Sequence, residues 1–93
     1  MSMTRAEILE QAAECVYRDR EQDYGSPEEN FALIAELWTI YKDTQFTPKD
    51  VAMMMALLKI ARIKHSDKAD SFVDLAGYAA CGGELADQGS NMM

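Results

Sequence analysis

The chain contains few of the residues that break helices or bind metals. Its 93 residues include two prolines, two cysteines and one histidine. The cysteines, Cys15 and Cys81, form no C-x-x-C motif, so neither a zinc site nor a disulfide framework is predicted. No apolar run reaches the roughly 18 residues of a membrane-spanning helix, and the N-terminal segment lacks the apolar core of a signal peptide. Two reduced, buried thiols fit the same picture, so we expect a cytoplasmic protein without a membrane partner.

The chain also has few positive charges. Nine Lys and Arg residues are outnumbered by sixteen Asp and Glu residues, which gives a formal net charge of −7. Because an acidic surface repels phosphate backbones, duplex nucleic acid is not an expected partner. The charge is compatible with a basic protein partner, with divalent cations held by carboxylates, or with solubility alone.

Four helix starts are predicted from capping signals, in which Ser, Thr or Asp precedes an acid by three residues. Pro27 and Pro48 occupy first helical positions, where a missing amide hydrogen leaves no intrahelical bond unmade. The sequence therefore predicts an all-α, four-helix bundle-like domain over residues 1–84 and a flexible tail over 85–93. The predicted helices are 4–21, 26–43, 47–64 and 67–82, with Gly82 and Gly83 ending the last, and the capping pairs are Thr4–Glu7, Ser26–Glu29, Thr47–Asp50 and Asp67–Asp70.

The third predicted helix is apolar on nearly every side. Its segment VAMMMALLKIARI, residues 51–63, has Lys59 and Arg62 as its only charges. Because such a helix must be buried on most sides, we expect a central helix that also contacts a second copy of the chain, in a dimer or a tetramer. The alternative is a helix covered entirely by its own chain. On the second helix, the predicted core stripe consists of Phe31, Ile34, Leu37, Trp38 and Tyr41.

Three aspartates recur at helical spacing on one face of the fourth predicted helix: Asp67, Asp70 and Asp74. Such a row suits a hard cation such as Mg²⁺, although capping also explains the first two acids. Asp74 has two alternatives, an exposed helix carboxylate or an ion pair with Lys59, Arg62 or an arginine of the first connection. Lys59 and Arg62, together with Lys64, are also able to hold a phosphate. No nucleophilic triad, glycine-rich phosphate loop or dinucleotide-binding motif is present.

Four short motifs stand out along the chain. They are R-x-x-x-Y-G (Arg20 to Gly25), N-F-x-x-I-A-x-L-W (Asn30 to Trp38), D-V-A-x-M-M-x-L-L-K-I-A-R (Asp50 to Arg62) and D-S-x-x-D-x-A-G-Y (Asp70 to Tyr78). Over about residues 18–84 the chain resembles a family of short phage and prophage proteins without an assigned function. The resemblance implies a phage or prophage origin and the cytoplasm of a bacterial host as the location.

Asp74, followed by Leu75 and Tyr78, is placed like the last acid of an E-x-x-D motif. In this respect the chain is more distantly similar to the all-α nucleoside triphosphate pyrophosphohydrolases of the MazG and dimeric dUTPase types. Those enzymes are helical bundles that bind Mg²⁺ through an E-x-x-E motif on one helix and an E-x-x-D motif on a later one. The resemblance implies a MazG-type architecture, but the first motif is not intact, because Met53 and Met54 occupy the place of its second acid.

The distant resemblance implies Mg²⁺-dependent hydrolysis of a nucleoside triphosphate to a monophosphate and pyrophosphate. In this hypothesis Asp50, Asp70 and Asp74 hold the metal, and Asp70, Asp74 and Lys59 carry the catalysis. The alternative hypothesis is a non-catalytic phage accessory protein that binds a host protein or a nucleotide through an acidic helical face, and the missing first motif favours it. The residues expected to contact a nucleotide are Tyr24, Asn30, Lys59, Arg62 and Tyr78.

Overall fold

The computed structural model describes residues 2–19 and 26–90, and this part of the chain contains helices and no strand. Helix α1 spans Arg5–Glu14 and continues into a π-helical turn over Cys15–Asp19. The all-α class with four helices is therefore confirmed for the described residues. None of the helices in this part of the chain is long and apolar enough to cross a membrane. The other helices are α2 (Pro27–Lys42), α3 (Pro48–His65) and α4 (Ala69–Ser90).

The predicted capping signals begin three of the helices. The Glu7 amide donates to Thr4 Oγ1 at 3.2 Å, and the Thr4 amide donates to Glu7 Oε1 at 3.0 Å. These two bonds satisfy backbone donors that have no partner within the helix. The other two starts use the same chemistry, with Thr47 and Asp50 bonded reciprocally at α3 and Ser26 accepting from the Glu29 amide at α2.

Two other helix bounds differ from the prediction. The α-helical part of α1 ends at Glu14, because the hydrogen bonding widens into the π-helical turn. Residues 20 and 21, which complete the predicted first helix, lie outside the described residues. Helix α4 begins at Ala69, so the residue that directly precedes it is Lys68 and not the predicted cap Asp67.

Helix α4 is longer than predicted because its two glycines do not end it. The helix continues through Gly82 and Gly83 to Ser90, so the predicted end at residue 82 was wrong. Gly82 is buried against α3, and a β-carbon at this position would overlap Met53 Cε and lie 3.4 Å from Ala52 Cβ. Close packing between the two helices, rather than a helix end, accounts for glycine at this position.

The core lies where α2, α3 and α4 meet. Helices α3 and α4 make the most extensive contact, while α1 packs on α4 and α2 packs on α3. Val51 of α3 is fully buried, and the rings of Phe31 and Tyr78 join α2 to α4 with centroids 6.2 Å apart. Trp38 meets the edge of Phe46 at 5.8 Å, which anchors the connection between α2 and α3. Small side chains allow the close approach of the helices: Ala35, Ala52 and Ala56.

Helix α3 is covered on one side only. A helix turns by about 100° per residue, so Val51, Ala52 and Ala56 lie on one arc, which is buried. The alternative prediction, a helix covered entirely by its own chain, was therefore wrong for this structure. The opposite arc consists of exposed apolar side chains: Met53, Met54, Leu57, Leu58 and Ile60.

The core-facing stripe of α2 is narrower than predicted. Phe31 is buried, and Ile34 and Trp38 pack against the core cluster. Leu37 and Tyr41 are mostly exposed, so their assignment to the core was wrong. Leu37 is one residue, or about 100°, away from Trp38, which takes it off the packed side, and Tyr41 lies in the last turn of the helix.

Candidate functional site

A small, mostly apolar cleft lies between the π-helical turn, α2 and α4. Its volume of about 40 Å³ has room for about three water-sized groups. The first turn of α2 and one face of α4 supply most of its walls, and the π-helical turn supplies the rest. Its apolar walls include Val16, Phe31 and Val73, and its polar groups come from Asn30, Asp74 and Tyr78.

One ion pair lies at the edge of this cleft. Lys59 Nζ of α3 is 2.9 Å from Asp74 Oδ2 of α4, and the two side chains are only 12% and 23% exposed. Solvent and salt screen such a pair less than a pair on the open surface. The predicted alternative for Asp74, an ion pair with Lys59, is thus confirmed.

Several residues that were predicted to form a site meet at the cleft. Asn30 comes from the first turn of α2, and Asp74 and Tyr78 lie four residues apart on the same face of α4. Lys59 reaches the same place through its bond to Asp74. The structure therefore brings four predicted site residues together. Three of them line the cleft, and the fourth, Lys59, is bound to Asp74.

Arg62 and Asp70, two other predicted site residues, lie elsewhere. Arg62 is exposed and borders a separate shallow depression with His65 at the end of α3. Asp70 is exposed in the first turn of α4, and Tyr24 lies outside the described residues. Arg62 and Asp70 are not among the described residues that line the cleft.

The three predicted metal ligands have different surroundings. Asp50 is engaged in the capping box with Thr47, Asp70 faces solvent, and Asp74 is bound to Lys59. Within residues 2–19 and 26–90, no three His, Cys, Asp or Glu side chains are arranged to hold a metal ion. This arrangement does not provide the group of carboxylate oxygens that Mg²⁺ prefers.

The predicted site residues did not include Cys15, Cys81 or Gly77, which also line the cleft. Cys15 reaches the cleft through the π-helical turn, and a hydrogen-bond pattern of this rare kind has no sequence signal. Gly77 leaves space beside Val16, since a β-carbon there would lie 3.5 Å from Val16 Cγ2. The spacing of Gly77 and Cys81, four residues apart on one helix face, was the signal that was available.

A second candidate site is formed by the exposed apolar side chains of α2 and α3, which we call the apolar surface. It includes nine of the eleven large apolar side chains that are exposed in the described part of the chain. Single exposed apolar residues are ordinary, whereas contiguous apolar patches of several hundred Å² are typical of interaction sites. The apolar surface consists of Leu33, Leu37, Ile40 and Tyr41 on α2 and of Met53, Met54, Leu57, Leu58 and Ile60 on α3.

The fold and these two sites define a small all-α domain with an ion-paired cleft and exposed apolar side chains on α2 and α3. A family model described as a domain of unknown function (DUF6378) matches residues 7–86, and the chain belongs to this family.

Two curated relatives are phage proteins. The Gene 55 protein of Mycobacterium phage L5 is 51% identical over 74 residues, which are 77% of this chain and 47% of that protein. The Gene 55 protein of Mycobacterium phage D29 is 45% identical over 75 residues, which are 80% of this chain and 50% of that protein. The chain thus spans about half the length of the curated relatives it matches. The family model and the two phage relatives confirm the predicted resemblance to phage proteins without an assigned function. No solved structure matches the chain.

Proposed function

We propose that this protein is a non-catalytic phage accessory protein that works as a homo-oligomer, in which a second copy covers the apolar surface. The observation that carries the proposal is the exposure of that surface. Ile40 is 78% exposed, Tyr41 is 85% exposed and Leu57 is 63% exposed. The largest apolar patch of a typical monomer is about 300–600 Å², and larger patches mark interaction sites.

The area of the apolar surface fits what a stable dimer needs. With about 200 Å² for a fully exposed large apolar side chain, its nine residues present roughly 1,000 Å² to solvent. An interface of standard size buries about 800 Å² on each partner. The summed exposed area of these nine residues is therefore comparable with the area that one partner of such an interface buries.

The distribution of charge also supports a second copy. Two chains of net charge −7 repel each other unless the surfaces that touch carry few charges. Over residues 51–61 of α3 the only charged side chain is Lys59, which binds Asp74 away from the exposed arc. A two-fold arrangement would bring the same apolar surface together on both copies. The exposed acids of α1 and α4 lie away from this segment, whereas α2 carries the exposed acids Glu29 and Glu36.

The non-catalytic part of the proposal rests on the cleft. Metal-assisted hydrolysis needs carboxylates that hold the ion and activate a water molecule. Asp74 is already bound to a lysine, and Asp50 is engaged at a helix start. Binding, rather than turnover, is the activity that these arrangements favour.

The test measures the mass of the full-length chain in solution by light scattering and sedimentation over a wide range of concentrations. We expect the wild-type chain to be a dimer or a larger oligomer, and Leu57→Glu to shift it to the monomer. Leu9→Glu on α1 is the matched control, because Leu9 is also 63% exposed but lies outside the apolar surface. Circular dichroism must show that both variants keep their helices.

Two outcomes would contradict self-association. A wild-type chain that stays monomeric at every concentration would show that a second copy does not cover the surface, which leaves a host protein as its occupant. Equal dissociation of Leu57→Glu and Leu9→Glu would show that the association is unspecific. Ile40→Glu provides a second variant on the same surface, with a side chain that is even more exposed.

Nucleotide binding of the MazG type is the second candidate function. The observation that favours it is the meeting of Asn30, Asp74 and Tyr78 at one cleft, with Lys59 beside them. An amide, a phenol and an ion pair are groups able to contact a base or a phosphate. Its Mg²⁺-dependent form has less support, since Asp74 is paired with Lys59 and Asp50 is engaged in a capping box.

The second candidate has its own test. The protein is incubated with each canonical and modified nucleoside triphosphate in the presence of Mg²⁺, and pyrophosphate release and the unfolding temperature are measured. Turnover that Asp74→Asn abolishes would support hydrolysis and contradict the non-catalytic proposal. A rise in unfolding temperature without turnover would support binding alone. If no nucleotide causes pyrophosphate release or a rise in the unfolding temperature, this candidate function is excluded.

A further inference from the structure

We infer that the shallow depression between the end of α3 and the start of α4 binds a small oligophosphate, a chain of two or three phosphate groups. Its walls combine three basic side chains with two hydroxyl groups, supplied by Arg62, His65, Lys68, Ser66 and Ser71. The depression shares no residue with the cleft or with the apolar surface. The inference therefore does not depend on the proposed homo-oligomer or on nucleotide binding at the cleft.

The positive charge of the chain is concentrated at this place. Residues 62–68 contain three of the nine Lys and Arg residues and the only histidine of a chain with a formal net charge of −7. The side chains of all four are exposed. Because the chain as a whole is acidic, a local group of cations creates a field that attracts an anion to this place and away from the rest of the surface. The four residues are Arg62, Lys64, His65 and Lys68.

The backbone holds the basic groups of the depression close together. Arg62 and His65 are three residues apart on α3, so they are neighbours on one helix face, with β-carbons about 5–6 Å apart. The Ser66 amide donates to the carbonyl oxygen of Arg62 at 3.1 Å, which fixes the end of the helix. Lys68 is two residues further, so its α-carbon is at most about 8 Å from that of Ser66. One phosphate chain is therefore within reach of all three basic side chains.

The basic groups of the depression are available to a ligand. Among the described residues, none of Arg62, His65 and Lys68 has an ion-pair partner, although Asp67 and Asp70 are close in the sequence. An anion thus binds without first breaking an ion pair within this part of the chain. The guanidinium group donates two parallel hydrogen bonds to phosphate oxygens, and the ammonium and imidazole groups donate further ones.

The position of Lys68 is an independent observation that points to an anion. The bases at the end of α3 are favoured by the dipole of that helix. Lys68 directly precedes α4, where the dipole favours negative charge and where Ser, Thr, Asp or Asn is the preferred residue. Helix stability therefore does not account for a lysine at this place, whereas an anion in the depression does.

The surroundings favour a small anion over a long one. A nucleic acid or an acidic peptide would extend beyond the basic group and meet the field of an acidic protein, which salt screens only over about 10 Å. An oligophosphate stays within the depression, whose volume of about 510 Å³ is more than ten times that of the cleft. This space accepts two or three phosphate groups.

The test titrates the full-length, ¹⁵N-labelled protein with sodium tripolyphosphate at constant ionic strength and without a divalent metal, and follows amide NMR signals and heat of binding. We expect saturable binding with the largest amide shifts over residues 65–71. Arg62→Gln and Lys68→Gln should each weaken the binding about tenfold, because each removes charge-assisted hydrogen bonds. Asp67→Asn should strengthen it, because the substitution removes a negative charge beside the depression.

Lys49→Gln is the matched control. Lys49 is exposed in the first turn of α3, at the other end of the helix, so the substitution removes the same charge away from the depression. We expect its affinity for tripolyphosphate to stay close to that of the wild type, and circular dichroism must show that every variant keeps its helices.

Three outcomes would overturn the inference. The first is the absence of saturable binding at millimolar tripolyphosphate, or amide shifts that lie mainly outside residues 62–71. The second is equal weakening by Lys49→Gln and Arg62→Gln, which would show an effect of overall charge alone. The third is tighter binding of polyglutamate than of tripolyphosphate to the same residues, which would assign the depression to an acidic protein segment instead.

Discussion

Lys59 and Asp74 connect the two most closely packed helices of the protein, with Nζ and Oδ2 2.9 Å apart and little exposure on either side chain. The lysine comes from the apolar segment of α3, where it is the one charge between Asp50 and Arg62. The aspartate lines the cleft. The same pair therefore neutralises a charge within an apolar helix and occupies the carboxylate that a catalytic site would use.

The first prediction is that Asp74→Asn lowers the free energy of unfolding by about 1–2 kcal/mol, because the substitution leaves the ammonium of Lys59 with a weaker partner in a mostly buried place. The free energy is measured by urea denaturation at one fixed protein concentration. Asp70→Asn is the matched control, since Asp70 lies one turn earlier on the same helix and is exposed.

A double-mutant cycle isolates the pair itself. Lys59→Met and Asp74→Asn together should destabilise the protein by less than the sum of the two single substitutions, with a coupling energy of about 1 kcal/mol. Zero coupling, or a cost of Asp70→Asn equal to that of Asp74→Asn, would show that the contact does not contribute to stability.

The second prediction concerns the end of α2, where Asp43 adopts a left-handed conformation with φ 53° and ψ 41°. A β-carbon disfavours this conformation and glycine does not experience the clash. We expect Asp43→Gly to raise the free energy of unfolding by about 0.5–1 kcal/mol and Asp43→Val to lower it by a larger amount. Urea denaturation measures both, and Asp43→Asn should stay close to the wild type because asparagine tolerates the same conformation. A destabilised Asp43→Gly variant would contradict the argument.

Local signals predicted the parts of the fold that depend on a few neighbouring residues. Thr4, Ser26 and Thr47 cap their helices as expected, because an N-cap hydrogen bond needs only residues within one turn. The starts of α2 and α3 at Pro27 and Pro48 follow for the same reason.

The parts that were predicted incorrectly, or not at all, depend on which elements meet. Leu37 and Tyr41 have the spacing of core residues, but only the structure shows that α3 covers the other side of their helix. Gly82 was predicted to end a helix, because glycine is common at helix ends. Its contact with Met53, which explains the glycine, is seen only in the structure. The position of Cys15 at the cleft depends on a π-helical turn that no composition or spacing indicates.

The third prediction compares the two adjacent glycines within α4. A β-carbon on Gly83 has no neighbour within 4 Å, so Gly83→Ala should raise the free energy of unfolding by about 0.5–1 kcal/mol through helix propensity alone. Gly82→Ala gains the same propensity but forces Met53 to move, since the new methyl group would overlap Met53 Cε. We expect Gly82→Ala to raise the free energy of unfolding by less than Gly83→Ala, or not at all. In a chain that also carries Met53→Ala, Gly82→Ala should recover part of the missing gain, because the overlapping side chain is gone. Equal gains for both glycines in urea denaturation would contradict the packing argument.

The last prediction concerns pH and the start of α1. The backbone amide and then the side chain of Thr4 hydrogen-bond the Glu7 carboxylate, and these bonds hold its pKa below the ordinary value of 4.5. Because the folded pKa is lower than the unfolded one, the stabilisation from Glu7 is fully present above the unfolded pKa and is lost as the pH falls through the folded pKa. Glu7→Gln should therefore be less stable than the wild type at neutral pH, and the difference should shrink on acidification to about pH 3. Carboxyl NMR titration should show the lowered pKa of Glu7 directly and its partial return in Thr4→Ala, whereas a stability difference independent of pH would contradict the linkage.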